Sequence, residues 1–448
     1  MNKKQKFIVQ GLSGKKTLNG RISVNGAKNS ALKAMAASVL FGDEVVLNNI
    51  PNTEDIHTMK NILVDLGAKV EWLDGNSDSK ILKINTKDIN KTDISADLAT
   101  TMRASVVLTG PMLARFGKVS FPAPGGCVIG ARPIDLFIDG YKKMGATITL
   151  KDNLYHIEAS QGLDGTEINF SKISVGGTET LMMASVFANG KTVLKNCAKE
   201  PEIVNIAEWL NLCGADIKGV GTDTIIIEGN NKKLLKSKEQ YTAIPDRIEA
   251  GSFLILGSLC AEKLYIDDCR PDHLEKTIQL LREAGVSINI EGDKKKTLKT
   301  IVVTNDPARL DFRFKAFNVE TREYPGFPTD LQSPIVTFLT QSEGESSVTE
   351  KIFEGRFKYV EDLIVMGADI ATIDQERILI KGPTLLRKLN IQKEFSAHDI
   401  RAGFAIVLAC LIGDGEYIIN NIHLIDRGYE KLEQRLVAIG ADIKRVIV

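Results

Sequence analysis

The pentapeptide MGADI at residues 366–370 recurs in variant form along the whole 448-residue chain. Its counterparts are LGAKV at 66–70, MGATI at 144–148, CGADI at 213–217, AGVSI at 284–288 and IGADI at 439–443. The successive glycines are 78, 69, 71, 82 and 73 residues apart. Each copy follows a segment with helical spacing of apolar residues and precedes a β-prone run, and glycine at that junction suits the positive φ of a helix C′ position. The pattern predicts a repeated unit of helix, glycine stop and strand.

Further apolar helical segments lie upstream of these units, such as SALKAMAASVL at 30–40 and TETLMMASVF at 178–187. Six copies of helix, strand, helix and strand predict an α/β protein with about 75 residues in each unit, which is longer than most solenoid repeats. We therefore expect two globular domains of three units each. The alternative is a repeat scaffold that binds a partner along an extended face. The unusual segments each occur once and fall between helices, which favours a single site.

The overall composition argues against several classes of protein. The chain has 57 Lys and Arg residues against 57 Asp and Glu residues, so no general basic field points to nucleic acid or to an anionic membrane surface. No apolar run is long enough to cross a membrane, and the amino terminus MNKKQKFIVQGLSG lacks the apolar core of a signal peptide. We therefore expect a cytoplasmic protein without membrane insertion.

One of the six cysteines stands apart from the others. The set forms no CxxC pair, which in a reducing compartment indicates neither a disulfide framework nor a zinc site, and most members are expected to be buried. Cys127 lies in FPAPGGCVIGARP at 121–133, a loop-forming segment with Arg115 and Arg132 nearby in sequence. Guanidinium groups lower a thiol pKa from its reference of about 8.5 and so activate the sulfur. A reactive loop cysteine and an ordinary turn are both compatible with this composition.

Basic residues stand before several helical segments. Lys28 lies in GAKNS at 26–30, where helix NH groups and the lysine could face an anion, and a solvated surface lysine is the alternative. The arginines in comparable positions are Arg103, Arg132, Arg356, Arg401 and Arg427. Because a guanidinium group donates two parallel hydrogen bonds to carboxylate or phosphate, the set indicates convergent anion binding, while surface ion pairs would explain any single member.

Asp330 is the carboxylate of YPGFPTDLQSP at 324–334, where prolines hold an extended approach to a helix. A helix N-cap is one interpretation of this residue, and a base that accepts a proton from a substrate hydroxyl is the other. The histidines include no Ser-His-Asp or metal-binding pattern, so His398 and His423 are expected to be structural.

Taken together, these segments resemble the enolpyruvyl transferases that act on UDP-N-acetylglucosamine. The matching segments are NGAKNSAL, TTMRAS, PGGCVIGARPIDL, SVGGTETL, EPEI, PDRIE, FPTDLQ, FEGRF, HDIRAG and HLIDRGYE, and they span nearly the whole chain. The cysteine loop is the most specific of them, because the related 3-phosphoshikimate 1-carboxyvinyltransferase shares the fold and reaction type but lacks this loop. That relative is the alternative assignment.

The resemblance implies a two-domain inside-out α/β barrel built from six βαβαββ repeats. Residues 28–244 would form the first three-repeat domain and carry the Cys127 loop. Residues 1–27 and 245–448 would form the second, with the active site in the cleft between the domains. Helix N-termini directed into that cleft would add to its positive potential.

The resemblance also implies which residues bind the two substrates. Lys28, Arg132 and Arg427 would hold the phosphate of phosphoenolpyruvate. Arg356 and Arg401 would lie near its carboxylate, with Arg103 in support. The residues implied to contact the UDP-sugar are Asn29, Arg103, Pro133, Ile134, Asp135, Leu136, Lys172, Ser174, Val175, Gly176, Asp330 and Ile352.

The implied reaction adds the sugar 3-hydroxyl to C2 of phosphoenolpyruvate, with protonation at C3, and the resulting ketal eliminates phosphate. Cys127 would act as the loop acid or nucleophile and would be alkylated by fosfomycin. Asp330 would take the hydroxyl proton, and Lys28 and Arg427 would complete the catalytic set. No metal or organic cofactor and no nucleic acid is implied, and no protein partner is indicated. The product would enter peptidoglycan synthesis.

Overall fold

A computed structural model describes residues 5–99, 102–122, 134–293, 295–305, 314–387 and 394–447. These residues divide into two compact units. The central unit consists of the described part of residues 26–244, and the terminal unit consists of the described part of residues 5–25 and 245–447. Each unit has its own hydrophobic core.

The helices are numbered along the chain. The central unit contains α1 (Lys28–Ala37), α2 (Glu54–Asp65), α3 (Ala96–Ala99), α4 (Thr109–Phe116), α5 (Asp135–Lys143), α6 (Val175–Ser185) and α7 (Pro201–Leu212). The terminal unit contains α8 (Arg247–Cys260), α9 (Glu275–Glu283), α10 (Gln332–Leu339), α11 (Val360–Val365), α12 (Ile400–Ile412), α13 (His423–Asp426) and α14 (Leu432–Ala438). Short 3-10 helices span Ser38–Leu40, Leu73–Gly75, Ser77–Ser79, Arg103–Leu108, Pro271–His273 and Thr329–Leu331.

The strands are numbered in the same way. Those of the central unit are β3 (Val45–Asn48), β4 (Lys69–Trp72), β5 (Leu82–Asn85), β6 (Lys118–Pro122), β7 (Thr147–Lys151), β8 (Leu154–Glu158), β9 (Glu167–Asn169), β10 (Lys191–Lys195), β11 (Asp216–Lys218), β12 (Thr224–Glu228) and β13 (Tyr241–Thr242). Those of the terminal unit are β1 (Gln5–Gln10), β2 (Leu18–Ser23), β14 (Ala261–Cys269), β15 (Ser287–Glu291), β16 (Lys299–Thr304), β17 (Phe314–Lys315), β18 (Val319–Glu320), β19 (Ser342–Thr349), β20 (Asp369–Thr372), β21 (Arg377–Gly382), β22 (Phe395–Ser396), β23 (Glu416–Asn420) and β24 (Ile443–Ile447).

Within the described ranges, each unit contains three small sheets of similar topology. Their strand orders are β13-β3-β5-β4, β6-β8-β7 and β11-β12-β10-β9 in the central unit, and β15-β16-β14-β2, β17-β19-β21-β20 and β22-β23-β1-β24 in the terminal unit. Four sheets combine one parallel pair at an edge with two antiparallel pairs. In the sheet around β19, both β17 and β18 pair with β19 in parallel, and the other two pairs are antiparallel. In the remaining sheet the parallel neighbour is reduced to a single bridge between Asp93 and Ser120.

The six repeated glycines end helices as the sequence predicts. They directly follow the C-cap residues of α2, α5, α7, α9, α11 and α14, and each precedes an edge strand of one of the six sheets. Their φ values lie between +90° and +108°, a region that favours glycine. The predicted unit of helix, glycine stop and strand is confirmed, and so is the α/β class of the fold.

A second set of helices is buried on nearly every face. In α8, α10 and α12 almost every residue is buried, and these three helices pack on one another in the terminal unit. Helices α1 and α6 are buried to a similar extent in the central unit. Their residues are mostly small or apolar, which is typical of helices inside a core. The first turns of α1, α6, α10 and α12 contain or adjoin residues that the sequence assigns to the site.

The helices are short compared with the thickness of a membrane. The longest described helix, α8, has 14 residues, and no helix in the described ranges is long and apolar enough to span a bilayer.

Gly67 and Gly214 allow the glycine stop to be tested within the central unit. Their φ values are +107° and +108°, so an added side chain is strained at both positions. A Cβ atom on Gly67 would also lie 2.7 Å from the carbonyl oxygen of Asp88, whereas a Cβ atom on Gly214 would meet nothing within 4 Å. We expect Gly214→Ala to lower the free energy of unfolding by about 1–3 kcal/mol through backbone strain. Gly67→Ala should cost more, because the Asp88 backbone must also move.

Urea denaturation followed by tryptophan fluorescence measures this difference. The chain has two tryptophans, Trp72 and Trp209, and both belong to the central unit, so the signal reports on the unit that carries the substitutions. Equal losses of stability in the two variants would contradict the steric contribution at Gly67.

Candidate active site

Asp330 lies in the short 3-10 helix that leads into α10. The N-cap residue of α10 is Leu331, which makes no side-chain capping hydrogen bond. The carboxylate of Asp330 accepts hydrogen bonds from two arginines. Arg356 Nη2 lies 2.8 Å from Oδ1, and Arg401 Nε lies 3.4 Å from Oδ2. Asp330 is therefore the centre of an ion-pair cluster in the terminal unit.

Both arginines of this cluster are buried. Each side chain is 4% exposed, whereas that of Asp330 is 28% exposed. Burial opposes the positive charge of Arg356, but nearby carboxylates outweigh this effect and raise its pKa. These carboxylates belong to Asp330, Asp399 and Glu350. The cluster thus combines two desolvated cations with one carboxylate that remains accessible.

One hydrogen-bond donor of the Arg401 guanidinium group is unused by the described residues. Its guanidinium carbon lies 5.1 Å from the ring centre of Tyr429. Burial opposes the charge of Arg401, but Tyr429 and Asp330 outweigh this effect and raise its pKa. The Nη1 atom is buried and has no acceptor among the described residues. Because a buried donor without an acceptor costs about 1–3 kcal/mol, this atom is well suited to contact an anionic ligand.

Arg427 is the half-buried C-cap residue of α13, and the residues on either side of it are held in place. Asp426 accepts two hydrogen bonds from Arg445, at 2.9 and 2.7 Å. A Cβ atom on Gly428 would lie 2.5 Å from Cγ2 of Ile400. The absence of a side chain at position 428 therefore lets this segment approach the start of α12.

Lys28, the first residue of α1, forms a buried ion pair in the central unit. Its Nζ lies 3.0 Å from Oδ2 of Asp55, and the two side chains are 10% and 5% exposed. The alternative of a solvated surface lysine is therefore wrong. Sequence reasoning missed Asp55. The only signal for this residue was the acidic first turn of the helix that begins in NTED, and that signal is equally typical of ordinary surface helices.

The start of α6 is ordered by its own N-cap. Ser174 Oγ accepts a hydrogen bond of 3.1 Å from the amide of Gly177. Val175 and Gly176 form the first turn, in which Gly176 is exposed, and Lys172 is exposed just upstream. Exposed amides at a helix N-terminus suit a phosphate-bearing ligand.

The other predicted UDP-sugar contacts lie on three different elements. Ile134 is the buried N-cap residue of α5, and Asp135 and Leu136 are the first residues of that helix. Asn29 follows Lys28 at the start of α1 and is half-buried, and Ile352 is half-buried in the loop after β19. The structure brings Asp330, Arg356 and Arg401 into direct contact and places the remaining described residues at the starts or ends of helices or in loops.

Several predicted site residues lie outside the described residues. They are Cys127, Arg132 and Pro133, together with the side chain of Arg103, whose backbone begins a 3-10 helix.

The described cysteines are unsuited to nucleophilic chemistry. Burial raises the pKa of the Cys197 thiol to about 11 and that of Cys260 to about 12. The pKa values of Cys213 and Cys269 are raised by the same cause. The expectation that most cysteines are buried is confirmed for Cys197, Cys213, Cys260, Cys269 and Cys410.

His398 forms an ion pair beside the cap of α12. Its Nε2 lies 2.8 Å from Oδ2 of Asp362, and this hydrogen bond raises the pKa of the imidazole. The next residue, Asp399, caps α12 by accepting hydrogen bonds from the amides of Arg401 and Ala402. The pair therefore adjoins the backbone that positions Arg401. No group of three or more His, Cys, Asp and Glu side chains that could hold a metal ion occurs in the described part of the chain.

The cluster around Asp330 has a definite chemical capacity. Two buried guanidinium groups, one with an unused donor, can bind a carboxylate or a phosphate through charge-assisted hydrogen bonds. A carboxylate that is partly exposed beside them can accept a proton from a bound hydroxyl group. The arrangement therefore suits the transfer of a group that carries anionic substituents onto an alcohol.

Comparison with known proteins assigns the family. The family model for EPSP synthase (3-phosphoshikimate 1-carboxyvinyltransferase) matches residues 12–436. The chain belongs to this family. Relatives named UDP-N-acetylglucosamine 1-carboxyvinyltransferase include the Campylobacter hominis protein, 41% identical over 97% of this chain and 98% of the relative. The Koribacter versatilis protein is 42% identical over 98% of this chain and 96% of the relative. The resemblance drawn from the sequence motifs is confirmed.

Solved structures of this family show the same fold. The enolpyruvyl transferase NikO from Streptomyces tendae superposes with a TM-score of 0.86 at 22% identity and covers 100% of both chains. An EPSP synthase from Acinetobacter baumannii superposes with a TM-score of 0.71 at 16% identity, covering 99% of this chain and 100% of that one.

The ion pair of His398 predicts a pH dependence of α12. Because its pKa is raised, the pair stabilises fully below the unfolded pKa of about 6.5, and this stability is lost as pH rises through the folded pKa. The His398 side chain is 32% exposed, so the effect should stay below the limit of about 1.4 kcal/mol per pH unit for one group. We expect α12 amides to lose protection from hydrogen exchange as pH rises above about 6.5, after correction for intrinsic rates.

In the variant His398→Gln, the slope of α12 protection against pH should be absent. Hydrogen-exchange mass spectrometry of peptides from α12 measures it, and His156→Gln is the matched control because His156 contacts Ser120 in the central unit. The same slope in His398→Gln as in the unaltered protein would exclude this origin.

Proposed function

We propose that the chain transfers the enolpyruvyl group of phosphoenolpyruvate to the 3-hydroxyl of UDP-N-acetylglucosamine and releases phosphate. The observation that carries this proposal is the identity of 41–42% over nearly the whole chain with relatives that bear the corresponding name. A third such relative, named UDP-N-acetylglucosamine 1-carboxyvinyltransferase 1, comes from Caldanaerobacter subterraneus and is 42% identical over 99% of this chain. The reaction is the first committed step of peptidoglycan synthesis and takes place in the cytoplasm.

The competing substrate is shikimate 3-phosphate. The description of the matching family model names that activity. The solved EPSP synthase is only 16% identical to this chain, whereas the Campylobacter hominis and Koribacter versatilis relatives are 41% and 42% identical. The sequence PGGCVIGARPIDL also favours the UDP-sugar.

The anionic groups of phosphoenolpyruvate meet the basic residues of the proposed site. Lys28, Arg132 and Arg427 hold the phosphate. Arg356 and Arg401 receive the carboxylate, with Arg103 in support. The buried Nη1 of Arg401 supports this role, because a substrate carboxylate would supply the acceptor that the described residues do not provide.

Asp330 is the proposed base. Its two carboxylate oxygens accept hydrogen bonds from Arg356 and Arg401. A substrate carboxylate that engages the same guanidinium groups competes with Asp330 for their donors and leaves its oxygens more basic. The 3-hydroxyl can then give its proton to Asp330 while its oxygen attacks C2 of phosphoenolpyruvate.

Cys127 is the proposed acid. Its thiol gives a proton to C3 as the C2–O bond forms, which produces a tetrahedral ketal. Loss of a proton from C3 and departure of phosphate from C2 then restore the double bond and yield the enolpyruvyl ether. The same sulfur is the proposed site of fosfomycin alkylation, and the raised thiol pKa values of the buried cysteines support this assignment. The proposal includes no metal ion or organic cofactor.

The UDP-sugar is proposed to contact the residues that the sequence motifs imply. They are Asn29, Arg103, Pro133, Ile134, Asp135, Leu136, Lys172, Ser174, Val175, Gly176, Asp330 and Ile352. The N-capped and partly exposed first turn of α6 supports a role in binding phosphate groups.

The proposal includes the finer architecture expected from the resemblance. The chain is an inside-out barrel of six βαβαββ repeats, with domains of residues 28–244 and of residues 1–27 plus 245–448, and the active site lies in the cleft between those domains. The six sheets have similar strand orders, and each unit contains buried helices, and both observations support the proposed sixfold repeat.

Phosphate release tests the proposed substrates. With phosphoenolpyruvate present, we expect phosphate to appear on addition of UDP-N-acetylglucosamine and not on addition of shikimate 3-phosphate. The reverse result would assign the competing activity. Release with neither acceptor would refute both assignments.

The variant Asp330→Asn tests the proposed base. It preserves the size of the side chain and removes its basicity, so we expect kcat in the phosphate-release assay to fall by about 10²–10⁴-fold. Glu376→Gln is the control, because Glu376 forms an exposed ion pair with Lys351 in the same unit. Near-normal turnover of Asp330→Asn would limit Asp330 to a positioning role.

A further inference from the structure

Glu350 is a buried carboxylate that the proposed reaction leaves unassigned. It follows the last residue of β19 and is 1% exposed. Its Oε1 accepts hydrogen bonds from Thr321 Oγ1 at 2.8 Å, from the amide of Ile352 at 2.9 Å and from the amide of Phe353 at 3.0 Å. Its Oε2 accepts a hydrogen bond from Thr329 Oγ1 at 2.9 Å. One side chain therefore joins three separate segments of the terminal unit.

The direction of each side-chain hydrogen bond is fixed by the neighbouring groups. Thr321 Oγ1 accepts from the amide of Lys351 at 2.9 Å, and Thr329 Oγ1 accepts from Arg356 Nη1 at 2.5 Å. Each hydroxyl has a single proton, and in both threonines that proton points to Glu350. All four partners of Glu350 are therefore donors, and an ionised carboxylate, which has two oxygens and no proton, satisfies them all.

The two oxygens serve two different parts of the proposed site. Oε2 accepts the hydrogen bond that orients Thr329. The Thr329 hydroxyl oxygen accepts a hydrogen bond from Arg356, and Arg356 in turn donates to Asp330. Oε1 closes the turn that presents Ile352. The negative charge of Glu350 also faces the buried guanidinium group of Arg356.

We infer that Glu350 is a positioning residue that sets the geometry of the proposed base Asp330 through one oxygen and of the proposed UDP-sugar contact Ile352 through the other. This inference rests on the proposed function. Glu350 acts through other residues and does not touch the reacting atoms.

The variant Glu350→Gln separates the two roles of the carboxylate. Three donors surround Oε1, so the amide oxygen stays at that end and the turn at Ile352 persists. The amide nitrogen then faces Thr329 Oγ1, where it competes with Arg356 for the same hydroxyl oxygen and leaves the Thr329 proton without its acceptor. The charge that faces Arg356 is also lost. The base is therefore displaced while the sugar contact is retained.

Steady-state kinetics of phosphate release tests this division. We expect Glu350→Gln to lower kcat by about 10- to 100-fold, the range found for residues that orient the ligands of metal sites. KM for UDP-N-acetylglucosamine should change by less than about threefold. Thr321→Val removes one of the three hydrogen bonds to Oε1. It should instead raise that KM and leave kcat within about threefold.

A double-mutant cycle provides a readout that a general loss of stability would not produce. Thr329→Val and Glu350→Gln both remove the hydrogen bond between Thr329 Oγ1 and Glu350 Oε2. The two substitutions together should therefore lower kcat no more than the larger single effect. Glu345→Gln, on the exposed face of β19, is the matched control and should leave both kinetic constants unchanged. Thermal denaturation establishes that each variant is folded, and Thr329→Val decides the question if Glu350→Gln does not fold.

The outcomes separate the inference from the proposed function. An unaltered protein that releases no phosphate with UDP-N-acetylglucosamine refutes the proposed function. An active unaltered protein with a wild-type kcat in folded Glu350→Gln, or in folded Thr329→Val, overturns the role of Glu350. Additive losses of kcat in the double variant overturn it as well.

Discussion

A carboxylate shared by two buried guanidinium groups sets the conditions under which the terminal unit binds anions. Removing an arginine from water costs several kcal/mol unless an opposite charge offsets it, and Asp330 supplies that charge to both Arg356 and Arg401. The substrate carboxylate of the proposed reaction would therefore meet cations that already have a partner. In the central unit, the buried cation of Lys28 likewise already has a carboxylate partner, Asp55.

The repeated architecture explains why these charges can be buried at all. Helices that are buried on nearly every face fill the interior of each unit, and their first turns bring Lys28, Val175 and Ile400 to places where backbone amides lack helical partners. The six glycines end a different set of helices and direct the chain into the edge strands of the sheets. Residues at the helix starts are therefore supported by rigid elements, and small shifts of single side chains change the site without changing the fold.

Local structure was predictable from the sequence, because glycine placement and apolar spacing act over a few residues. The family was predictable from the motifs, and the basic residues in those motifs remain the predicted site. The pairing of charges was not predictable. Asp55 is 27 residues from Lys28, and Arg401 is 71 residues from Asp330, so no spacing rule links them. Glu350 follows a polar strand and resembles a surface residue, and only the folded chain brings its four donors together.

The first strand of the chain pairs with two of the last. β1 lies between β23 and β24, where Phe7 is opposite both Ile419 and Arg445. During translation, residues 5–10 leave the ribosome long before their partners at 416–447 exist, whereas the described core of the central unit consists of residues between 31 and 243. The central unit can thus close while the amino-terminal strand still has two open edges, which are sites of intermolecular pairing. The sheet around β1 cannot form until residues 416–447 have been synthesised.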